Sequence, residues 1–169
     1  MLTLYLLRHA KSAWDDPSLG DFDRPLAARG ERAAPAMARY MRTAVQPDLV
    51  LCSAARRTRD TWALMAGTLG QPRTIYLEEL YEADAGRLRA CIRRNQTDAS
   101  RLMLVGHNPG LQSLALGLIG SGDRAARAAV AEKFPTAAVA VIEFDIETWR
   151  DLAPATGRLT LFMTPKRLP

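Results

Sequence analysis

Three short, nearly continuous apolar runs, at residues 2–7, 49–52 and 102–105, constrain the fold of this chain most. Strands that alternate apolar and polar residues have one wet face, whereas unbroken runs of this length suit strands buried on both faces. Helical periodicity fills the stretches between them. Helices are expected over about 28–42, from Ser53 to near Gly70, over 85–94, from Pro109 through Leu118, and over 125–133. Ser53 reads as the N-cap of the second helix, which carries Thr58, Trp62, Met65 and Leu69 on one face, and Asn108 as the N-cap of the fourth. Gly30 and Pro35 weaken the opening turns of the first helix. Further strands are expected at 74–77, 138–144 and 159–163. This alternation predicts an α/β fold with a mainly parallel sheet, and the 169 residues fit one domain, 1–169.

Composition narrows the function. Residues 1–7 lack the basic start and cleavage site of a signal peptide, and no apolar run approaches the ~20 residues that span a bilayer. A cytoplasmic protein with no membrane partner is expected. Cys52 and Cys91, far apart and outside any C-x-x-C, read as reduced core thiols rather than a zinc site or a disulfide. The net charge of +5 rests on arginine, with lysine only at Lys11, Lys133 and Lys166. No dense basic run with interleaved aromatics is present, which argues against nucleic acid and leaves an acidic substrate.

The chemistry gathers at strand ends. The chain has two histidines, and each directly follows a buried-looking strand: Arg8-His9 after the first, Gly106-His107 after the fourth. Arg56 and Arg57 fall in the first turn of the helix after Ser53. Carboxyl ends of parallel strands share one edge of an α/β sheet, and ligands bind in the crevice there. Guanidinium groups and a helix N-terminus suit phosphate, and a neutral imidazole flanked by arginines is a competent nucleophile at phosphorus. His9 is the expected nucleophile, with His107 as a hydrogen-bond donor. No cofactor and no metal is implied, since arginines neutralise the charge a cation would otherwise meet.

With these residues set out, the sequence resembles the histidine phosphatase superfamily, the phosphoglycerate-mutase-like family. Arg8-His9-Ala10-Lys11-Ser12 is similar to its Arg-His signature in the alanine form found in the small, SixA-like branch of phosphohistidine phosphatases. Ser53, Arg57 and Thr61 match its Ser-x-x-x-Arg-x-x-x-Thr pattern, a register that selects Arg57 over Arg56. Val105-Gly106-His107-Asn108-Pro109-Gly110 matches its second histidine, and Asp23-Arg24-Pro25-Leu26 followed by Arg29-Gly30 resembles the same branch. The match spans residues 2 to about 118, and the compact length is similar to that branch too, since mutases usually carry extra segments over the site. The resemblance implies a three-layer α/β sandwich and catalytic Arg8, His9, Arg57 and His107. It also implies Arg24 as a further phosphate contact, and a phosphorylated substrate such as a phosphohistidine-bearing signalling protein.

Many members of that family place an acid after the third strand, where Glu79 is the best positional candidate among Glu78, Glu79 and Glu82. Without an effective acid, an imidazole departs more easily than an alcohol, which favours phosphohistidine. Asp15 stands where mutase-like members often have asparagine and is not expected to touch phosphate. Two other readings stay open: a phosphomonoesterase for a small metabolite or nucleotide, and a phosphate-binding module without turnover. A cysteine phosphatase fails because Cys-x5-Arg from Cys52 lands on Thr58. Asp21-Phe22-Asp23 resembles an aspartyl-phosphatase pair but lies in a polar loop, and no nucleotide-binding P-loop occurs.

Overall fold

A computed structural model describes residues 1–95 and 98–169. One seven-stranded sheet runs through it in the order β3-β2-β4-β1-β6-β7-β5. The strands are β1 (Leu2–Arg8), β2 (Leu49–Ser53), β3 (Arg73–Leu77), β4 (Arg101–Gly106), β5 (Ile119–Gly122), β6 (Val139–Phe144) and β7 (Gly157–Met163). The helices are α1 (Ala28–Met41), α2 (Arg56–Met65), α3 (Ala85–Arg94), α4 (Gly110–Leu118) and α5 (Arg124–Glu132). β3, β2, β4 and β1 are mutually parallel, and β6 runs antiparallel between β1 and β7.

The unbroken apolar runs are explained by a sheet covered on both sides. Leu4, Leu6, Leu49, Leu51, Leu102 and Leu104 point into one core with α3, α4 and α5. Their neighbours Tyr5, Leu7, Val50, Cys52, Met103 and Val105 point into the other, against α1 and α2. Successive side chains of a strand face opposite ways, so the central positions of β1, β2 and β4 meet a helix layer on either face. This is the three-layer α/β fold.

Three local expectations are corrected. Ser53 ends β2, and α2 has Ala55 at its N-cap; the Ser53 hydroxyl turns toward His107 instead. Pro109 rather than Asn108 holds the cap position of α4, which starts at Gly110, although the Asn108 side chain still accepts from the first-turn amide of Gln112 at 3.3 Å. β5 (Ile-Gly-Ser-Gly) was not foreseen, because a four-residue strand with two glycines and three exposed positions has no apolar pattern. Pro35 lies within α1, which nevertheless continues through it. Gly30 is required there: a Cβ would lie 2.2 Å from the Lys11 carbonyl oxygen, so only glycine lets α1 press onto the chain leaving β1. Cys52 and Cys91 are both free and buried.

Candidate active site

The register of the two central strands brings the histidines together. β1 and β4 are parallel neighbours with Arg8 opposite Gly106, so the next residue of each chain, His9 and His107, emerges side by side. The His9 amide donates to the Gly106 carbonyl at 3.1 Å, and the imidazole centroids are 5.4 Å apart. β2 lies on the other side of β4, which puts the Ser53 hydroxyl 2.7 Å from His107 Nε2.

The four-residue spacing of Ser53, Arg57 and Thr61 has a physical reason. Arg57 stands in the first turn of α2 and Thr61 one turn later on the same face. Thr61 Oγ1 accepts from the Ala10 amide at 2.9 Å and donates to the Arg57 carbonyl at 2.7 Å, which ties the residue after His9 to α2. The Arg57 side chain is only 8% exposed, whereas that of Arg56 is 46% exposed and pairs with Asp60 at 3.5 Å.

His9 Nδ1 is 2.7 Å from the Ala10 carbonyl oxygen. A carbonyl only accepts, so Nδ1 carries the proton and the neutral ring keeps its lone pair on Nε2. The same logic places the Ser53 proton toward His107 Nε2 when His107 carries its own proton on Nδ1. Arg8 Nε, Arg57 Nε and His107 Nδ1 are the buried side-chain nitrogens or oxygens left without a partner among the described residues. All three belong to this one cluster.

A carboxylate that the sequence reading had set aside completes it. Asp21, in a short 3-10 turn over Asp21–Asp23, accepts from Arg57 Nη2 at 3.1 Å through Oδ2, and its backbone carbonyl accepts from Arg57 Nη1 at 2.8 Å. The Tyr81 hydroxyl donates to the same Oδ2. Arg24 donates through Nε to Asp21 Oδ1 at 3.1 Å, and through Nη1 to Ser12 Oγ at 2.8 Å and the Ala13 carbonyl at 3.2 Å. Its guanidinium carbon also sits 3.4 Å from the centroid of the Trp14 ring. Asp21 therefore grips Arg57 by its two terminal nitrogens and leaves the buried Nε–H free. Arg24 lies at the site, but its nitrogens are engaged with Asp21, Ser12 and Ala13.

A family model described as histidine phosphatase superfamily (branch 1) matches residues 4–103. The chain belongs to the histidine phosphatase superfamily. The matched span holds Arg8, His9, Arg24 and Arg57 and stops short of His107. An uncharacterized protein of Mycobacterium tuberculosis is 37% identical over 163 residues, spanning 95% of this chain and 100% of the relative. A second, from Mycobacterium leprae, is 34% identical over 167 residues, again with 95% and 100% covered. Among solved structures, a candidate phosphohistidine phosphatase SixA from Agrobacterium tumefaciens is 32% identical, with a TM-score of 0.82 and 97% and 98% of the two chains covered. The protein histidine phosphatase SixA complexed with tungstate shares the fold at 22% identity and a TM-score of 0.79, over 99% and 100% of the chains.

In this histidine phosphatase both imidazoles are held neutral. Burial pushes His9 down to about 4, and the charges of Arg57, Arg8 and Arg24 add to that against the Ala10 hydrogen bond. Burial also brings His107 down to about 3, aided by His9, Arg57 and Arg8 and opposed by Asp21. Below the ordinary histidine range the unfolded chain takes up protons that the folded chain refuses. These two groups therefore lower stability progressively as pH falls through about 6.5, toward 4 for His9 and toward 3 for His107, and contribute no pH dependence well above 6.5. With only two histidines, an NMR titration reads both directly: each should titrate below pH 5. A value near 6.5 for His9 would mean that burial and the arginines do not govern it.

Two further expectations resolve here. Glu79 does not join the cluster: its Oε1 is 2.5 Å from Arg94 Nη2 and 3.5 Å from Cys91 Sγ. From the same segment Tyr81 reaches the site, its ring centroid 5.5 Å from that of His107. Burial and the Asp21 hydrogen bond push the Tyr81 phenol up to about 12, while Tyr81 and the arginines hold Asp21 near 2. Sequence reasoning missed Tyr81, for which a lone tyrosine in a turn gave no signal. Asp15 is exposed. Among the described residues no group of three or more His, Cys, Asp or Glu could hold a metal ion, and no helix is long and apolar enough to cross a membrane.

Proposed function

We propose that this protein is a metal-independent phosphatase that takes a phosphoryl group onto His9 Nε2 and acts on phosphohistidine-bearing protein. The observation that carries the reading is the convergence of three partnerless buried nitrogens, Arg8 Nε, Arg57 Nε and His107 Nδ1, around an imidazole whose free lone pair is on Nε2. An unsatisfied buried donor costs about 1–3 kcal/mol, so three in one place mark a site built for an acceptor with several oxygens. A tetrahedral oxyanion meets that need, and tungstate is such an anion in the SixA structure.

The reaction follows from these groups. The phosphoryl group docks against Arg8, Arg57 and His107, which neutralise its oxygens. His9 Nε2 forms a bond to phosphorus as the bond to the leaving group breaks, and water then displaces phosphate and restores the neutral ring. Arg24 acts through Asp21, which holds the Arg57 fork.

The leaving group distinguishes the substrate classes. The two groups beside His107 and Arg57 that could serve as an acid are Tyr81 and Asp21. The first holds its proton too tightly and the second has already lost it. Glu79 is engaged with Arg94. An alkoxide leaving group needs a proton at the moment of cleavage, whereas an imidazole, with a conjugate acid near ~6.5, can be protonated from solvent at neutral pH. A phosphoramidate such as phosphohistidine suits this site better than a sugar phosphate.

The test compares hydrolysis of a phosphohistidine protein with that of an alkyl phosphate such as glycerol 2-phosphate, whose alkoxide leaving group needs a proton, both in excess EDTA. The expected result is strong activity on the first, little on the second, and no loss with EDTA. The opposite ranking would make this a phosphomonoesterase, absence of turnover on either would leave a binding module, and EDTA sensitivity would overturn metal independence.

A further inference from the structure

Beside Arg8 the same edge of the sheet opens into a groove of about 740 Å³. Its cationic lining is Arg8, Lys11, Arg29, Lys133 and Lys166, and no carboxylate is among the described residues that line it. The three lysines are all the lysines in the chain, against 23 lysines and arginines together. They come from the turn after β1, the end of α5 and the turn after β7, so only the tertiary fold assembles them. None of the five cations forms an ion pair with a described residue, in contrast to Arg24, Arg57, Arg94, Arg101 and Arg158. Like charges brought together without counter-charge repel one another, which an anionic partner would relieve.

The groove is continuous with the phosphate site through Arg8, whose Nη1 is held by the Phe134 carbonyl at 3.0 Å while its Nε remains free. A substrate whose phosphoryl group lies against Arg8 must extend its remainder near this groove or away from it. Arg29, Lys133 and Lys166 are exposed and Lys11 half-buried. Small-molecule sites bury their ligand and fix it with a few enclosed polar groups. Mobile lysines on an open rim instead suit a protein face, where they steer encounter and favour the correctly charged partner.

We infer that this groove docks an acidic face of the phosphoprotein substrate, next to the histidine that bears the phosphoryl group. The inference rests on the proposed function and assigns the substrate's surface charge.

The test is the double variant Lys133→Glu/Lys166→Glu, both outside the His9 cluster, with Lys133→Ala/Lys166→Ala as a milder companion. Turnover is measured on an acidic histidine phosphotransfer protein phosphorylated with phosphoramidate, and on p-nitrophenyl phosphate, across a range of salt. For the protein substrate, wild-type kcat/KM should fall as salt rises. The glutamate variant should lose at least about tenfold at low salt with a flatter salt dependence, and the alanine variant should lose less. On p-nitrophenyl phosphate both variants should stay within about twofold of wild type, with unchanged melting temperature. Equal losses on both substrates, or no loss on the protein, would overturn the docking role. So would the variant losing tight competition by inorganic tripolyphosphate while keeping full activity on the protein, which would mark a small-polyanion site. If wild type does not hydrolyse the phosphoprotein at all, the proposed function itself falls and the docking role falls with it.

Discussion

His9→Ala should reduce phosphatase turnover by on the order of 10⁴-fold or more while the protein melts close to the wild-type temperature. Losing the group that forms the covalent bond leaves only the contribution of the charge-neutralising residues, and in enzymes with covalent intermediates such losses run to roughly 10⁴–10⁶. The fold should tolerate the change. His9 sits at a strand end, its ring makes one hydrogen bond to its neighbour's carbonyl, and its charged form is already disfavoured. Removing an imidazole that is costly to protonate should, if anything, flatten the loss of stability below pH 6.5. Single-turnover trapping is the sharper readout: wild type should carry acid-labile phosphate on this residue and the variant none. Residual turnover within tenfold of wild type would end the nucleophile assignment.

The second large effect separates adjacent arginines. Arg57→Ala should cost roughly 10²–10³ in kcat/KM, the usual loss when one preorganised donor to a developing charge is removed. Arg56→Ala should stay within about twofold. The difference follows from placement on α2. Arg57 points inward, its fork is fixed by Asp21, and its Nε has no partner. Arg56 points to solvent and offers Asp60 an i,i+4 ion pair worth about 0.3–0.5 kcal/mol. Equal losses would show that the helix presents the wrong residue. Lysine at position 57 should recover little, because a point charge cannot keep Asp21 on one edge and still offer a second N–H on the other.

Much of this is legible in the sequence. The runs at 2–7, 49–52 and 102–105 read as strands covered on both sides, and a histidine stands just beyond two of them, so parallel neighbouring strands bring both to one rim. The family motifs then chose Arg57 over Arg56, and the structure shows a physical basis: one turn of α2 separates Arg57 from Thr61 on its inward face, and Thr61 ties Arg57 to Ala10. Glu79 was misread because distance along the chain from β3 says nothing about direction. The 3-10 turn at Glu78–Leu80 points Glu79 toward Arg94, while Tyr81 beyond it faces His107. Ser53 was misread as a cap because its residue type is common there, yet its hydroxyl serves the histidine at the end of the neighbouring strand.

The sequence by itself determined the layering of the sheet, the strands that carry the chemistry and the residue types that suit phosphate, because burial periodicity and strand-end position are local properties of the chain. Only the tertiary structure decided the strand order, the antiparallel seat of β6, the grip of Asp21 on Arg57 and Tyr81, and the gathering of Lys11, Lys133 and Lys166 beside Arg8. Asp21 lies 36 positions from Arg57 and 60 from Tyr81, and Arg8 meets Phe134 across 126. Nothing local marks them, because their energy depends on which turns pack against which strand ends.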